Sequence, residues 1–255
     1  MGLLQNKVRL AKHRINNIKH NMFLNKVKVW NKKQDNTVLN GLALWCSGTK
    51  STGSTATSWK DISGYNRHIT MYNATLSNNE YLSNGSNTYG ILPLNLTLFN
   101  TGGTIDIIAK YTTADNYRGL MGPHFNTGTQ GLVFGQYAST GGLAIGLFVM
   151  SQNKHFNLAF NSSNLTNGTL AYNQITMTYD RNTLSVYVNG VLKQYLVIGQ
   201  ASMGSSNIYI GFSFNSTDNR YFHGSVRDLK IYTRALTATE VLQNYNQNKS
   251  EKLVV

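Results

Sequence analysis

Short apolar or alternating runs, separated by turns rich in Gly, Asn, Ser and Thr, occupy the chain from residue 41 onward. Runs of this length, bounded by turn residues, are typical of the strands of an antiparallel sandwich. Eight of them stand out, at residues 41–45, 105–111, 131–136, 143–150, 174–179, 184–188, 207–214 and 225–232. The pattern predicts an all-β fold of two antiparallel sheets.

Two local signals add detail to this fold. Residues 183–188 alternate apolar and polar side chains, as a strand with one buried face does, and Asn189-Gly190 follows as a hairpin turn. Near the end, Thr237 and Glu240 have the spacing of a capping box ahead of Val241. We therefore expect one short C-terminal helix, followed by a polar tail at residues 247–255.

The first forty residues follow a different pattern. Apolar residues recur there at spacings of four and three, at Leu4, Val8, Ala11, Ile15, Ile18 and Met22. This stripe predicts an amphipathic helix over residues 4–24. Residues 26–31 then alternate with period two, which indicates an extended segment. Residues 1–40 are therefore interpreted as an arm outside the sandwich.

Charge separates the same two regions. The 255 residues carry a net charge of +13, and residues 1–40 hold nine Lys or Arg and a single acid, a net charge of +8. A single cysteine, Cys46, excludes a disulfide framework within the chain. No apolar run is long enough to span a membrane, and no secretory signal precedes the arm. We expect a product made in the cytoplasm without a leader.

Three segments together resemble laminin-G-like jelly-roll domains. Residues 61–68 (Asp-Ile-Ser-Gly-Tyr-Asn-Arg-His) resemble the family's Asp-x-Ser-Gly turn, and residues 174–193 resemble its central hairpin. Residues 221–245 resemble its closing strand and terminal helix. The resemblance covers residues 41–246. It implies a concanavalin-A-like fold, two antiparallel sheets with a concave face, on which lectins, glycosidases, adhesins and capsid components are built.

A glycosidase needs two carboxylates on either side of one sugar bond. The enzymes of this fold carry Glu-x-Asp-x-(x)-Glu on one strand, and this chain has only Glu80, Glu240 and Glu251, in no such arrangement. Asp106 and Asp180 have no acidic neighbour two residues away. The six histidines show no metal-ligand spacing. We expect neither an enzyme nor a cofactor.

The residue types favour carbohydrate binding, since aromatic faces and Asn, Asp and Arg side chains bind sugars. Candidates lie in segments that resemble loops: Trp59, Tyr65, Asn66, Arg67, His68, Tyr117, Arg118, Asn219, Arg220 and Tyr221. The alternative is that these aromatics belong to strands and the core. A calcium site at Asp61 with Asn66, or at Asp218 with Asn219, is a further alternative to plain turn chemistry.

The arm suggests an anchor. A terminal segment of this kind is ordered only when something holds it, and we expect other proteins of a large assembly to do so. The hypothesis is a non-enzymatic bacteriophage virion protein that displays its lectin-like domain. The anchoring candidates are Leu4, Val8, Arg9, Lys12, Arg14, Ile15, Ile18, Met22, Val27, Val29 and Trp30.

Other roles for the arm stay open at this stage. Its cations could neutralise nucleic-acid phosphates, its apolar stripe could lie on an anionic membrane, or it could be a solubilising tail. A free carbohydrate-binding module or adhesin of a cell is the rival function for the whole chain.

Overall fold

The computed structural model describes residues 35–112, 118–123, 131–137, 142–149, 154–160, 171–201, 203–213 and 220–254. Thr37–Val255 forms one compact unit. The helix predicted at residues 4–24 and the extended segment at residues 26–31 lie outside the described residues.

Two stacked sheets form the domain, which confirms the predicted all-β sandwich. The strands are, in chain order, β1 (Leu42–Ser47), β2 (Ser58–Trp59), β3 (Ile69–Tyr72), β4 (Thr75–Ser77), β5 (Glu80–Asn84), β6 (Tyr89–Asn95), β7 (Gly103–Tyr111), β8 (Arg118–Pro123), β9 (Gly131–Tyr137), β10 (Gly142–Val149), β11 (Lys154–Phe160), β12 (Asn173–Tyr179), β13 (Thr183–Val188), β14 (Val191–Val197), β15 (Asn207–Ile210), β16 (Phe212–Ser213), β17 (Arg220–Tyr221) and β18 (His223–Tyr232). A 3-10 helix at Leu96–Thr101 and an α-helix, α1, at Ala238–Ser250 complete the described elements.

One sheet has eight strands in the order β14-β13-β12-β7-β18-β5-β4, with β1 also paired to β18. The other has ten, in the order β11-β10-β9-β8-β15-β6-β3-β2, with β16 and β17 attached at β8. Their pairs are antiparallel except for β17 with β8. Such long-range antiparallel pairing agrees with the short, turn-separated runs in the sequence.

The main hydrophobic core lies between the two sheets, and β7 is one of the strands that contribute inward-facing side chains to it. On β7 the inward residues Ile105, Ile107 and Ala109 are buried in this core. The outward residues Asp106 and Ile108 are buried as well. β7 is therefore covered on both faces, and its outer cover is α1 together with the residues that follow it.

The two predicted local signals are confirmed. Asn189 and Gly190 both have positive φ, at 52° and 78°, as the tight hairpin turn between β13 and β14 requires. Thr237 accepts a hydrogen bond from the Glu240 amide, and the Glu240 carboxylate accepts one from the Thr237 amide. This reciprocal cap fixes the start of α1.

The end of the chain differs from the predicted polar tail at residues 247–255. α1 continues to Ser250, and Leu253 and Val254 are buried against Ile108 and Tyr172. The two apolar residues are separated from the helical stripe by a turn at Lys252, where φ is 60°. Helical periodicity therefore gave no sign that they return to the sheet.

Candidate functional site

An aromatic cluster lies on the outer face of the ten-stranded sheet. On β3, Ile69 and Met71 are buried, whereas Thr70 and Tyr72 are exposed. On β15, Ile208 and Ile210 point into the core, so Tyr209 between them faces outward. Because side chains alternate along a strand, these tyrosines lie on the side of the sheet that faces away from the core.

Register brings the rings together. Tyr72 lies directly opposite Tyr89 on β6, and Tyr209 pairs with the residue two positions further along that strand. Phe212 pairs with Tyr221. We call these five residues, Tyr72, Tyr89, Tyr209, Phe212 and Tyr221, the tyrosine platform.

Tyr89 is the centre of the platform. Its ring stacks on that of Tyr72, with centroids 4.8 Å apart and planes at 15°. The centroids of Tyr209, Phe212 and Tyr221 lie 6.1, 6.3 and 6.4 Å from that of Tyr89. Each such pair contributes about 0.5–1.5 kcal/mol beyond its buried area. The rings therefore hold one another in a fixed aromatic surface.

The platform is partly open to solvent. Tyr72 is 40% exposed, and Tyr89, Tyr209 and Tyr221 are half-buried, whereas Phe212 is buried beneath them. Burial, followed by the nearby hydroxyls of Tyr72, Tyr221 and Tyr209, raises the pKa of Tyr89. Four phenols thus present both aromatic faces and hydrogen-bonding hydroxyls.

Arginine lies at one border of the platform. The Arg118 guanidinium donates from Nη1 to the carbonyl oxygens of Gly85, at 2.7 Å, and Tyr221, at 3.5 Å. Arg220 directly precedes Tyr221 and pairs with Ser213. Three of the predicted glycan-binding residues, Arg118, Arg220 and Tyr221, are therefore brought together here.

The predicted set omitted Tyr72, Tyr89 and Tyr209. The short alternations Ile69-Thr70-Met71-Tyr72 and Asn207-Ile208-Tyr209-Ile210 carry the relevant signal, since each places a tyrosine on the polar side of a strand. That signal shows an outward side chain. It does not show which strands are neighbours.

A second group of predicted residues lies in the turn between β2 and β3. Asp61 accepts hydrogen bonds from the amides of Trp45, Ser63 and Arg67, at 3.0, 2.9 and 2.9 Å. Burial alone raises the pKa of Asp61, but these donors and the Ser63 hydroxyl outweigh it and lower the pKa below its usual value. Asp61 therefore acts as a turn residue whose oxygens are already engaged.

The other residues of this turn are also largely occupied by the fold. His68 Nδ1 accepts the Asp61 amide at 3.1 Å, Asn66 takes a left-handed φ of 56°, and the Arg67 guanidinium donates to the Ala43 carbonyl at 2.8 Å. Tyr65 is 60% exposed, with the Arg67 guanidinium 4.5 Å from its ring centroid. Tyr65 and Asn66 are the exposed members of this group, so a ligand could reach both.

Trp59 requires a correction. It is completely buried, with its ring centroid 4.9 Å from that of Tyr81, so it cannot contact a ligand at the surface. The large apolar indole of Trp59 belongs to the main core because β2 points it between the sheets. Tyr117, Asn219, Asp218 and the anchoring candidates of the arm lie outside the described residues.

The buried carboxylates of Asp106 and Asp228 have partners within the fold. Asp106 accepts the Thr176 hydroxyl at 3.0 Å and the Asn244 side-chain amide of α1 at 3.2 Å. Complete burial raises the pKa of Asp106 to about 6, although Lys230 acts in the opposite direction. Asp228 accepts Trp45 Nε1 at 3.0 Å and pairs with Lys230. We call this cluster beneath α1 the buried polar network.

The acids that the sequence analysis considered for catalysis, other than Asp106, take part in turns and ion pairs. They engage as follows: Glu80 with Tyr172 and Arg227, Glu240 with Arg234 and Thr237, Glu251 with Lys50, and Asp180 with the amides of Asn182 and Thr183. Cys46 is a buried free thiol, and burial, with Asp61 and Asp228 nearby, raises the pKa of Cys46.

Two further properties concern only the described part of the chain. No three His, Cys, Asp or Glu side chains come together there as a metal site would require. Among the same residues, no helix has the length and apolarity needed to cross a bilayer.

The two-sheet architecture, with one C-terminal helix packed on the outer face of a sheet, defines a concanavalin A-like sandwich. The family model Laminin_G_3, described as the concanavalin A-like lectin/glucanases superfamily, matches residues 83–242, more than half of the chain. The chain belongs to this superfamily, and its domain is lectin-like. No curated protein sequence gives a significant match.

Solved structures support the same fold. The receptor binding domain of botulinum neurotoxin C/D mosaic serotype aligns with a TM-score of 0.64 at 17% identity, covering 82% of this chain and 52% of that one. The binding domain of botulinum neurotoxin DC in complex with rat synaptotagmin II aligns with a TM-score of 0.64 at 16% identity, covering 82% and 52%.

A third structure belongs to a study of the dependence of botulinum neurotoxin type C cell entry on two ganglioside molecules. It aligns with a TM-score of 0.61 at 17% identity, covering 81% of this chain and 51% of that one. This chain therefore spans about half the length of these toxin domains, and at such identities the likeness shows the fold alone.

Proposed function

We propose that the domain is a non-enzymatic glycan-binding module whose binding surface is the tyrosine platform. The observation that carries the proposal is the fixed cluster of Tyr72, Tyr89, Tyr209, Phe212 and Tyr221 on the outer face of the ten-stranded sheet. The apolar C–H face of a pyranose packs on such rings, and phenol hydroxyls with Arg118 supply hydrogen bonds at the border.

A shallow surface of this kind binds one sugar weakly. A hexose has about twelve heavy atoms, and at about −0.3 kcal/mol per atom the binding free energy is about −4 kcal/mol, a Kd of about 1 mM. Useful affinity then requires several copies acting together. This favours a domain displayed on a multivalent object.

The absence of hydrolysis is part of the proposal. Asp106 and Asp228 are sealed beneath α1, and Glu240 is held by Arg234 and by the cap of α1. A glycosidase would need an acid and a second carboxylate beside the sugar. The platform residues themselves supply aromatic rings and hydroxyls.

A glycan array probed with the full-length chain, in a multivalent format, tests the proposal. The best ligand is then titrated by NMR against the wild type and three tyrosine variants. Tyr89→Ala is expected to weaken binding at least tenfold, since it removes the central ring. Tyr65→Ala tests the turn between β2 and β3 as the alternative binding site. Tyr195→Ala, which removes an exposed tyrosine of the eight-stranded sheet, is the control. Loss of binding with Tyr65→Ala alone would contradict the assignment.

In its fuller form, the proposal makes this chain a bacteriophage virion protein whose arm anchors it to the particle. Its support is the net charge of +8 over residues 1–40 and the apolar stripe within them. Deleting residues 2–33 is expected to abolish incorporation into particles while glycan binding persists. Incorporation of the truncated chain would overturn the anchoring role.

Two rivals are distinguished by the same reagents. A carbohydrate-binding module or adhesin of a cell binds glycans and is absent from particles. A nucleic-acid contact through the basic arm shows a steep loss of affinity as salt rises, because each neutralised phosphate releases counterions. The arm-deleted chain serves as the control for both.

A further inference from the structure

Asn-Gly pairs occur at three turns of the described part of the chain. They are Asn40-Gly41, Asn84-Gly85 and Asn189-Gly190. A fourth pair, at residues 167–168, lies outside the described residues. In such a pair the backbone nitrogen of glycine can attack the Asn side-chain carbon and displace ammonia, because glycine has no Cβ to crowd the approach. The surroundings of each pair therefore decide where this reaction occurs in the folded protein.

The Asn189 side chain is held at both ends by the fold. Its Oδ1 accepts a hydrogen bond from the Gln174 amide at 2.9 Å, and its Nδ2 donates to Asn173 Oδ1 at 3.0 Å. Asn189 is also buried, at 7% exposed. For Gly190 to attack, both hydrogen bonds must break where unpaired polar groups are costly. The fold therefore protects Asn189.

Asn84 is exposed but is held by its own turn. Its Oδ1 accepts the amides of Ser86 and Asn87, at 2.9 and 3.1 Å, and its Nδ2 donates to Asn87 Oδ1 at 2.8 Å. The attacking nitrogen is engaged as well, since the Gly85 amide donates to the Phe222 carbonyl at 3.0 Å. Both reacting groups of this pair are therefore occupied.

Asn40 differs from the other two. It is exposed, and within the described part of the chain neither its side chain nor the Gly41 amide has a hydrogen-bond partner. The Leu42 amide closes the turn by donating to the Leu39 carbonyl at 3.0 Å. Val38 and Leu42, on either side, are buried in one apolar cluster. The turn is therefore fixed at its two ends and open at its tip.

A guanidinium lies on the peptide group that would react. Arg234 Nε donates to the Asn40 carbonyl oxygen at 3.0 Å, and the nitrogen of that peptide group is Gly41 N. When this nitrogen loses its proton, negative charge spreads to the carbonyl oxygen, and a fixed cation there stabilises the charge. Arg234 is itself held by Glu240, at 2.8 and 2.5 Å. Arg234 is therefore positioned to favour attack by Gly41.

From this contrast, we propose that Asn40 is a site of spontaneous deamidation by reaction with water. Hydroxide takes the proton of Gly41 N, which bonds to Asn40 Cγ, and the Cγ–Nδ2 bond breaks as Nδ2 takes a proton from water and leaves as ammonia. Water then opens the five-membered succinimide. Opening at Cγ gives aspartate, and opening at the backbone carbonyl carbon gives isoaspartate, whose main chain is one methylene longer.

Either product changes the point where the sandwich begins. Each adds a carboxylate beside Arg234, and isoaspartate also lengthens the main chain between Val38 and Leu42. The exposed tip of the turn accommodates the added atom, since the packing lies at the two ends. The reaction therefore proceeds in the folded protein and alters the charge and the geometry at the base of residues 1–40.

Peptide mapping by mass spectrometry tests the site. The full-length chain is incubated at mildly alkaline pH, below its unfolding temperature, and conversion at each Asn-Gly pair is followed over time. Asn40 is expected to convert at least about tenfold faster than Asn84 and Asn189, whose hydrogen bonds must first break. A parallel sample in urea is the control. The lead of Asn40 is expected to disappear there, because unfolding frees all three pairs.

Two substitutions sharpen the assignment. Asn40→Gln is expected to remove most of the isoaspartate that enzymatic methylation detects in the folded chain, since glutamine would have to form a larger ring. Arg234→Gln is expected to slow conversion of Asn40 at least about threefold. Arg181→Gln, at an exposed arginine of the β12–β13 turn, is the matched control and is expected to leave the rate unchanged. Thermal unfolding shows that each variant is folded during incubation.

Three results would contradict the proposal. Conversion of Asn84 or Asn189 as fast as Asn40 in the folded chain would mean that the fold does not select Asn40. An unconverted Asn40, while the urea sample converts, would show that the closed turn prevents the attack. Conversion of Asn40 that is as fast or faster in Arg234→Gln would exclude the contribution of the guanidinium.

Discussion

The outer faces of the two sheets carry polar or aromatic side chains, and the two faces differ in whether these side chains reach solvent. On the ten-stranded sheet, Tyr72 and its neighbours stay at the surface as a platform. On the eight-stranded sheet, Asp106, Asp228 and Lys230 are each about 1% exposed because α1 covers them. What packs on a strand, and not its own alternation, decides whether its outward residues are available to a ligand.

This contrast has a physical consequence. Charges beneath a helix must be satisfied within the protein, since removing them from water is expensive. Rings at a surface need no such compensation, so the exposed faces of the platform can contact a ligand. We therefore expect mutations of the buried polar network to change stability and mutations of the platform to change binding.

The largest expected effect follows loss of the one cation in the network. Lys230→Met leaves Asp106 and Asp228 without their cation, which is expected to lower the free energy of unfolding by about 3–5 kcal/mol. Urea denaturation measures the change. Lys249→Met, at an exposed position of α1, is the control and is expected to have an effect below about 0.5 kcal/mol.

A second test removes the Asp61 carboxylate from the turn between β2 and β3. Asp61→Ala leaves three backbone amides and the Ser63 hydroxyl without their acceptor, and a loss of about 2–3 kcal/mol is expected. Calcium and chelator are expected to leave the melting temperature of the wild type unchanged, because these donors already occupy Asp61. A calcium-dependent rise in melting temperature would instead support a metal at this turn.

The pKa of Asp106 is higher than that of an ordinary carboxylate. Its pKa is about 6 when folded against about 3.8 when unfolded, so the folded state holds its proton more tightly. The stabilisation by this proton is complete below about pH 4 and is lost as pH rises through about 6, by roughly 2–3 kcal/mol at most. Asp106→Asn is expected to abolish this fall. The difference in free energy of unfolding between wild type and Asp106→Asn, measured across this pH range, separates the contribution of Asp106 from that of other titrating groups.

A smaller effect of opposite sign is expected at the exposed start of α1. The Arg234 guanidinium, with the Thr237 cap, lowers the pKa of Glu240 to about 2. The stabilisation is present above about pH 4.5 and is lost as pH falls through about 2. Glu240→Gln keeps the cap and removes the ion pair, so a loss of about 0.5–1 kcal/mol at neutral pH is expected. Thermal unfolding against pH checks it.

The local elements of this fold were predictable from sequence. The Asn189-Gly190 turn and the Thr237–Glu240 cap are fixed by residues close in the chain, and both are confirmed. Seven of the eight strand runs match single strands with ends shifted by one or two residues, and the run at 207–214 divides at Gly211 into β15 and β16. Each of these signals depends on residues within one segment, so it can be recognised without knowing which strands are neighbours in the sheet.

The platform was only partly predictable because it depends on which strands are neighbours. Tyr72, Tyr89 and Tyr209 come from β3, β6 and β15, and only the sheet order places them side by side. Trp59 was a glycan-binding candidate with a core position as the alternative, and the sequence could not decide between them for the converse reason. A two-residue strand shows no alternation from which its inward direction could be inferred.

The most direct test of the central claim is saturation-transfer NMR of the full-length chain with the best array ligand, compared with Tyr89→Ala. Saturation is expected to pass from the platform rings to the sugar C–H protons in the wild type and in Tyr195→Ala. In Tyr89→Ala this transfer is expected to be lost while the fold is unchanged. Equal transfer to the sugar in wild type and Tyr89→Ala would contradict binding at the tyrosine platform.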